Sequence, residues 1–285
     1  MALMRSQIIT RLRIASEQTE DFYYRLKGIL KFQPLFLKKT LATCPVCNHY
    51  QAYILPYPAF KTPLKKLPPH DKYLCSYCGH VYTRWLSQSV NQIGQIYSAC
   101  YDQKEQRKIN ANPRKTAQKK LLLLLAKKTK KQGCYLDFAC GDNFSIAADL
   151  RKEGLKVWAC EIRNKYPYDN KVFFRYNPSK PFKKKLAGIA SLDAIEHIQT
   201  IKKTWRFFNL SLKKNGLMVH SFPTAFRYHY YHRFFRIPFH ACLFSRKSLL
   251  LWSKKMGFKY LGEEALPESD VGVCYWFKKV KSLKE

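Results

Sequence analysis

Four cysteines stand in two CxxC steps, Cys44-Pro-Val-Cys47 and Cys75-Ser-Tyr-Cys78, with 27 residues between them. Each step lets two thiolates converge on one ion, and two steps complete a tetrahedral sulfur shell for zinc. Such a shell has no open position, so the zinc it implies is structural. Gly79, beside the second step, lets backbone amides turn toward sulfur. Disulfides are the competing reading, and they are disfavoured in an intracellular chain. Neither His49 nor His80 is needed as a ligand, although either could replace a thiolate. The other six cysteines (Cys100, Cys134, Cys140, Cys160, Cys242 and Cys274) sit mostly in apolar segments and read as small buried hydrophobes.

A second group of candidates is acidic. The run Tyr135-Leu-Asp137-Phe-Ala139-Cys-Gly141-Asp-Asn143-Phe144 reads as strand, tight turn and helix start. Small residues at 139 and 141 let a ligand approach the backbone, and Asn143 tolerates positive φ. Asp137 and Asp142 would repel a pyrophosphate and favour a ligand that carries positive charge. Glu161 closes the next strand, where an acid suits bidentate hydrogen bonding to ribose hydroxyls.

In order and spacing these motifs resemble class I S-adenosylmethionine-dependent methyltransferases, over about residues 133 to 280. Asp137, Ala139, Gly141 and Asn143 stand where that family has its acidic, glycine-rich first motif, with Ala139 and Asn143 replacing glycines. Glu161 matches the ribose-binding acid, and Asp193-Ala-Ile-Glu196-His197 matches the fourth-strand motif. The segment Leu212–Pro223 is similar to the approach to the fifth strand. The resemblance implies a Rossmann-like, mostly parallel seven-stranded α/β sheet. It also implies S-adenosylmethionine as cofactor, held by Asp137, Ala139, Gly141, Asn143, Glu161 and Asp193. A zinc module ahead of such a domain resembles nucleotide-sugar C-methyltransferases, although this chain ends soon after Phe277 without their further domain.

Methyl transfer is an in-line displacement, so the protein positions the acceptor and removes its proton. His197 is the candidate base, with Glu196 beside it. The run DxxEH also resembles the metal-binding motif of small-RNA 2′-O-methyltransferases and some quinone O-methyltransferases. Asp193, Glu196, His197 and either His220 or His240 would then form a divalent-metal site. The aromatic, basic segment 226–240 follows the fifth strand. Its Arg227, Tyr231, Arg233, Arg236 and His240 are the candidate substrate-binding residues, arginines for phosphate and rings for a base or sugar.

Positioning these groups requires four regions. Residues 1–40 carry apolar residues at helical spacing up to Pro34, and 41–85 form a loop-rich zinc-binding module. Residues 86–131 read as a helical linker, with a helix starting near Pro113 and ending in lysines that complement its dipole. From 132 to 285 strands and helices alternate: strands near 134–138, 156–160, 172–174, 188–192, 217–222, 258–262 and 271–277, helices at 144–153, 201–213 and 245–256.

Charge bounds the partners. The 285 residues carry 52 Lys and Arg against 19 Asp and Glu, a formal +33, and His197 to Gly262 contains no acid. Such a field attracts an anionic small molecule or nucleic acid. Lysines dominate, which weakens the case for planar phosphate recognition along a nucleic acid. The longest apolar run, Leu121–Ala126, is far short of the roughly 20 residues that span a bilayer. The N-terminus lacks a continuous apolar core of a secretory signal, so a cytoplasmic protein is expected. The leading expectation is a methyltransferase acting on a nucleotide-linked sugar or surface-polysaccharide precursor. The alternatives are an RNA methyltransferase, or a non-catalytic zinc- and polyanion-binding protein on a degenerate scaffold.

Overall fold

The computed structural model describes residues 38–55, 70–85, 111–131, 133–141, 145–162, 172–182, 185–225, 227 and 239–284. The helix expected in the first segment lies outside them, as do the candidate site residues Asn143, Tyr231, Arg233 and Arg236.

The C-terminal half is a seven-stranded sheet. Its strands are β5 (Cys134–Phe138), β6 (Lys156–Glu161), β7 (Phe173–Arg175), β8 (Leu186–Leu192), β9 (Leu212–Ser221), β11 (Phe258–Ala265) and β12 (Val273–Lys279). Spatial order is β11-β12-β9-β8-β5-β6-β7. Five neighbours run parallel from β7 to β9, while β12 is antiparallel to both β9 and β11. The central β8 is buried along its whole length, as the continuous apolar run of a strand covered on both faces requires. Helices α1 (Ala111–Lys128) and α2 (Ser145–Lys152) cover one face through Leu121, Leu122, Leu125, Ile146 and Leu150. Helices α3 (Ile201–Ser211) and α4 (Arg246–Lys255) cover the other through Trp205, Phe208, Leu249 and Trp252. Gly188 of β8 is where α1 comes closest: a Cβ there would lie 2.7 Å from the Leu125 methyls.

The cysteine region is a β-structure rather than a loop-rich module. Strands β1 (Lys39–Leu41), β2 (Gln51–Leu55), β3 (His70–Cys75) and β4 (Val81–Trp85) form an antiparallel meander with one CxxC step in each of two turns. Lys39 and Thr40, the last residues of the first region, are in a strand. A fifth strand, β10 (Cys242–Leu243), comes from the C-terminal half and pairs with β4. The two regions also share one apolar cluster, in which Cys44, Val46, Cys75 and Tyr82 join Phe208, Phe244 and Trp252.

Helix α4 fastens both cysteine turns. Ser245 caps it, accepting from the Ser248 amide at 3.0 Å, and donates its hydroxyl to the Cys78 carbonyl. Lys247 reaches the Tyr77 carbonyl at 2.8 Å, and Lys255 reaches that of Val46 at 3.2 Å. Among the described residues no helix is long and apolar enough to cross a membrane.

One boundary departs from expectation. The helix predicted through Lys213 ends at Ser211, and β9 begins at Leu212, which is buried opposite Leu186. Lys213, Lys214 and Asn215 bulge outward, with Asn215 at φ 61°, before pairing resumes at Leu217.

Candidate active site

In an open α/β sheet ligands bind beyond the carboxyl ends of the strands, where strand order reverses. Here that place is the crevice between β5 and β8, and the predicted acids gather around it.

Asp137, next to last in β5, is 1% exposed. Gln118 of α1 donates to its Oδ2 at 2.6 Å, whereas its Oδ1 is buried with no hydrogen-bond partner among the described residues. Burial pushes the Asp137 carboxyl up to about 8, and the nearby Glu161 adds to the rise. Glu161, at the end of β6, accepts the Gly141 amide at 2.7 Å and the Ile162 amide at 2.7 Å. That contact clamps the turn after β5 against the end of β6. The turn is sharply bent: Ala139 has φ 54° and Gly141 φ 61°. Ala139 thus takes the left-handed conformation a glycine would adopt freely, a strain of roughly 1–2 kcal/mol. The Asp137 oxygen left without a partner among the described residues suits a ligand cation. These residues fit the ammonium-bearing end of S-adenosylmethionine and, at Glu161, its ribose.

The end of β8 supplies the second half. Asp193, at φ 47°, has both carboxylate oxygens without a hydrogen-bond partner among the described residues. Arg114 of α1 lies 3.6 Å from its Oδ2. Burial raises the Asp193 carboxyl to about 6, opposed by Arg114. A 3-10 turn, Ile195–His197, then carries Glu196 and His197. Glu196 is 2% exposed, its Oε2 has no partner among the described residues, and burial holds its pKa well above the usual carboxylate range.

His197 Nδ1 lies 3.3 Å from the Phe239 carbonyl, and its Nε2 lies 3.9 Å from Glu196 Oε1. A donor at Nδ1 makes Nε2 the lone-pair nitrogen, aimed toward the carboxyl. Burial lowers His197 to about 3, so the imidazole is neutral. The His240 ring lies 4.7 Å from that of His197, edge to face. One ligand atom each from Glu196, His197 and His240 falls within 4.8 Å of the others. His220 is not among them: it is buried on β9, hydrogen-bonded to Ser191 at 2.7 Å and stacked on Phe208. Of the two alternatives from the sequence, His240 is therefore the one the fold brings to the motif. Arg227 makes an ion pair at 3.3 Å with Glu263 on the edge strand β11.

The four sulfurs form a second centre. Cys44 and Cys78 stand 3.7 Å apart, and Cys47 and Cys75 3.5 Å. All four lie within 4.8 Å of one another. Tetrahedral zinc with sulfurs at about 2.3 Å has sulfur–sulfur edges of about 3.8 Å, so the donor set fits. His80 is not a member. It is fully buried, its Nε2 3.6 Å from Cys242 Sγ.

Two contributors escaped the sequence. Lys72 of β3 is a lysine only 2% exposed. Thr83 of β4 holds the His240 backbone from the side of the cysteine module.

With this geometry in place, the comparison of sequence families is decisive. Residues 106–263, more than half of the chain, match the family described as a methyltransferase domain. The chain belongs to the methyltransferase-domain family. The matched stretch takes in the site of this methyltransferase from Arg114 to His240.

No curated protein matches the sequence. Among solved structures, the Burkholderia thailandensis 1,6-didemethyltoxoflavin-N1-methyltransferase is similar at 12% identity, covering 73% of this chain and 98% of its own, with a TM-score of 0.49. A SAM-dependent methyltransferase from Thermotoga maritima is similar at 12% identity, covering 66% and 100%, with a TM-score of 0.48.

Proposed function

We propose that this methyltransferase uses S-adenosylmethionine to methylate an anionic small molecule, foremost a nucleotide-linked sugar or surface-polysaccharide precursor. The observation that carries the reading is one crevice with two chemically different halves. On one side stand a cation-seeking Asp137 and a turn held by Glu161; on the other stands a neutral imidazole facing a buried carboxyl.

The cofactor supplies an electrophilic sulfonium methyl. Asp137 offers to the ammonium an oxygen that has no partner among the described residues, and Glu161 stands at the strand end where the ribose hydroxyls would lie. On the acceptor side, Phe239 fixes the His197 tautomer, and Nε2 takes the proton of the acceptor hydroxyl or carbon acid. Bound there, the cofactor would supply the methyl group, and the chain's part is to hold the acceptor in line and take its proton. A proton on Nε2 sits beside Glu196, whose ionised form would stabilise it.

The three-atom cluster of Glu196, His197 and His240 supports a second reading, a divalent cation that holds and acidifies the acceptor hydroxyl. We assign the four-cysteine centre to structural zinc.

Transfer of label from methyl-labelled S-adenosylmethionine into fractionated cell extract tests the reading. Label in a nucleotide-sugar or glycan fraction, lost in His197→Ala, supports it. Label in RNA replaces the acceptor class, and a requirement for added Mg2+ or Mn2+ promotes the metal reading. Absence of label together with absence of cofactor binding leaves a binding protein.

A further inference from the structure

We propose that the tip of the cysteine module and the outer face of α4 form one docking surface for an anionic lipid bilayer. The proposal does not depend on the methyl-transfer reading.

The surface starts at the two cysteine turns. Tyr50 follows the first turn and Tyr77 lies inside the second, and they are 59% and 53% exposed. The His49 ring stands between them, 5.6 Å from each. Leu41, 76% exposed, closes β1, and the amide of the next residue, Ala42, donates to the Tyr50 carbonyl at 3.0 Å. Lys247 joins this group to α4: its Nζ lies 3.7 Å from the centre of the Tyr77 ring and donates to the Tyr77 carbonyl. Toward the other end of α4, Lys255 holds the Val46 carbonyl of the first turn. Leu251 is four residues from each of these lysines, so it lies on the same helix face between the two anchors. Leu250 and Leu251 are 46% and 38% exposed, while Leu249 and Trp252 supply the buried face of the helix.

Five of the nine large apolar side chains that stand exposed among the described residues thus gather here. Scattered, they would need no explanation; gathered, they mark a contact surface. Charge identifies the partner. Residues 38–55, 72–85 and 239–262, which build this surface and its support, contain no Asp or Glu. Lys38, Lys39, Arg246, Lys247, Lys254 and Lys255 are exposed on them, and none forms an ion pair among the described residues. Rings and cations alone would suit a single-stranded nucleic acid, whose bases stack on aromatic faces. The leucines decide otherwise, because an aliphatic side chain offers a base no face to stack on. Leucine, tyrosine and lysine together are what an interfacial membrane contact needs. Apolar side chains enter the headgroup boundary, tyrosine rings sit at its level, and cations meet anionic headgroups.

The test is flotation of the full chain with vesicles of phosphatidylcholine, alone or with about 30% phosphatidylglycerol. Wild type is expected to float with the anionic vesicles and to stay behind with the neutral ones. Raising salt from about 0.1 M to about 0.5 M should weaken binding, because surface charges are then screened. A chain of formal +33 would adhere to any anionic surface by charge alone, so the leucines are the deciding residues. Leu250→Gln with Leu251→Gln keeps the charge and should bind at least about tenfold more weakly. Arg246→Gln with Lys254→Gln should lose about fivefold for each cation. Leu123→Gln with Lys127→Gln makes the same kinds of change at exposed positions of α1, across the sheet, and should match wild type. An unchanged melting temperature shows that a variant keeps the fold. If the leucine pair lowers it, Tyr50→Ser, at the other end of the surface, decides in its place with a loss in the same direction. The proposal is overturned if wild type does not float with anionic vesicles, if the leucine pair binds as wild type does, or if the α1 pair loses as much. Wild type that binds single-stranded RNA and leaves the vesicles behind overturns it in favour of a base-stacking surface.

Discussion

The Thr83 hydroxyl donates to the His240 carbonyl at 3.1 Å, across 157 residues of chain. It joins the cysteine module to the segment that borders the candidate base. Thr83→Val removes the donor and keeps the volume, leaving a buried carbonyl short of a partner. The expected loss is about 1–3 kcal/mol of stability in urea denaturation. An unchanged midpoint would show that the module is not held through this bond.

The four-cysteine centre, and the zinc proposed for it, should matter beyond the module. Purified chain is expected to contain one zinc per molecule, and Cys78→Ser should lower both zinc content and melting temperature. Ser245, Lys247 and Lys255 grip carbonyls of the two cysteine turns, so α4 should lose amide-exchange protection along with them. Full protection of α4 after the metal is stripped would contradict this coupling.

Affinity for S-adenosylhomocysteine should depend on pH through Asp137. Free of ligand, this carboxyl titrates near 8 because it is buried, so at pH 6 it is protonated. A ligand ammonium favours the ionised form and lowers that pKa on binding. Affinity therefore rises as pH increases from 6 to 8 and levels off above it. Asp137→Asn should bind more weakly at pH 8 and show a flat profile; a slope equal to wild type would assign the titration elsewhere.

His197→Gln removes the base while keeping a polar side chain. Methyl transfer should fall by about 10²–10⁴, with S-adenosylhomocysteine affinity unchanged. Loss of cofactor affinity instead would make His197 a part of the cofactor pocket.

Much of this site could be read from the chain because it is local. Asp137, Glu161 and Asp193 each lie at or just beyond a strand end, and apolar runs such as Tyr135–Phe138 and Leu186–Leu192 announce those strands directly. The four cysteines carry their own spacing. The boundary at Leu212 was missed because Lys213, Lys214 and Asn215 have the polarity of a helix end, while burial of Leu212 against Leu186 decides for strand. Long-range pairing was not legible at all. β10 has two residues and joins β4 from the other half of the chain, so no periodicity betrays it. Lys72 follows from that pairing: only the register of β3 against β4 turns an apparently exposed lysine inward. His240 comes to the motif by the same route, whereas His220, nearer in sequence, is committed to Ser191.

The most direct test of the central claim is calorimetric titration of S-adenosylhomocysteine into the full chain, wild type beside Glu161→Ala. The account predicts one site per chain in wild type, and binding at least about tenfold weaker once the acid that clamps Gly141 and faces the ribose is removed. No heat of binding in wild type, or equal affinity in the variant, would contradict a cofactor site at the carboxyl ends of β5 and β6, beside the crevice between β5 and β8.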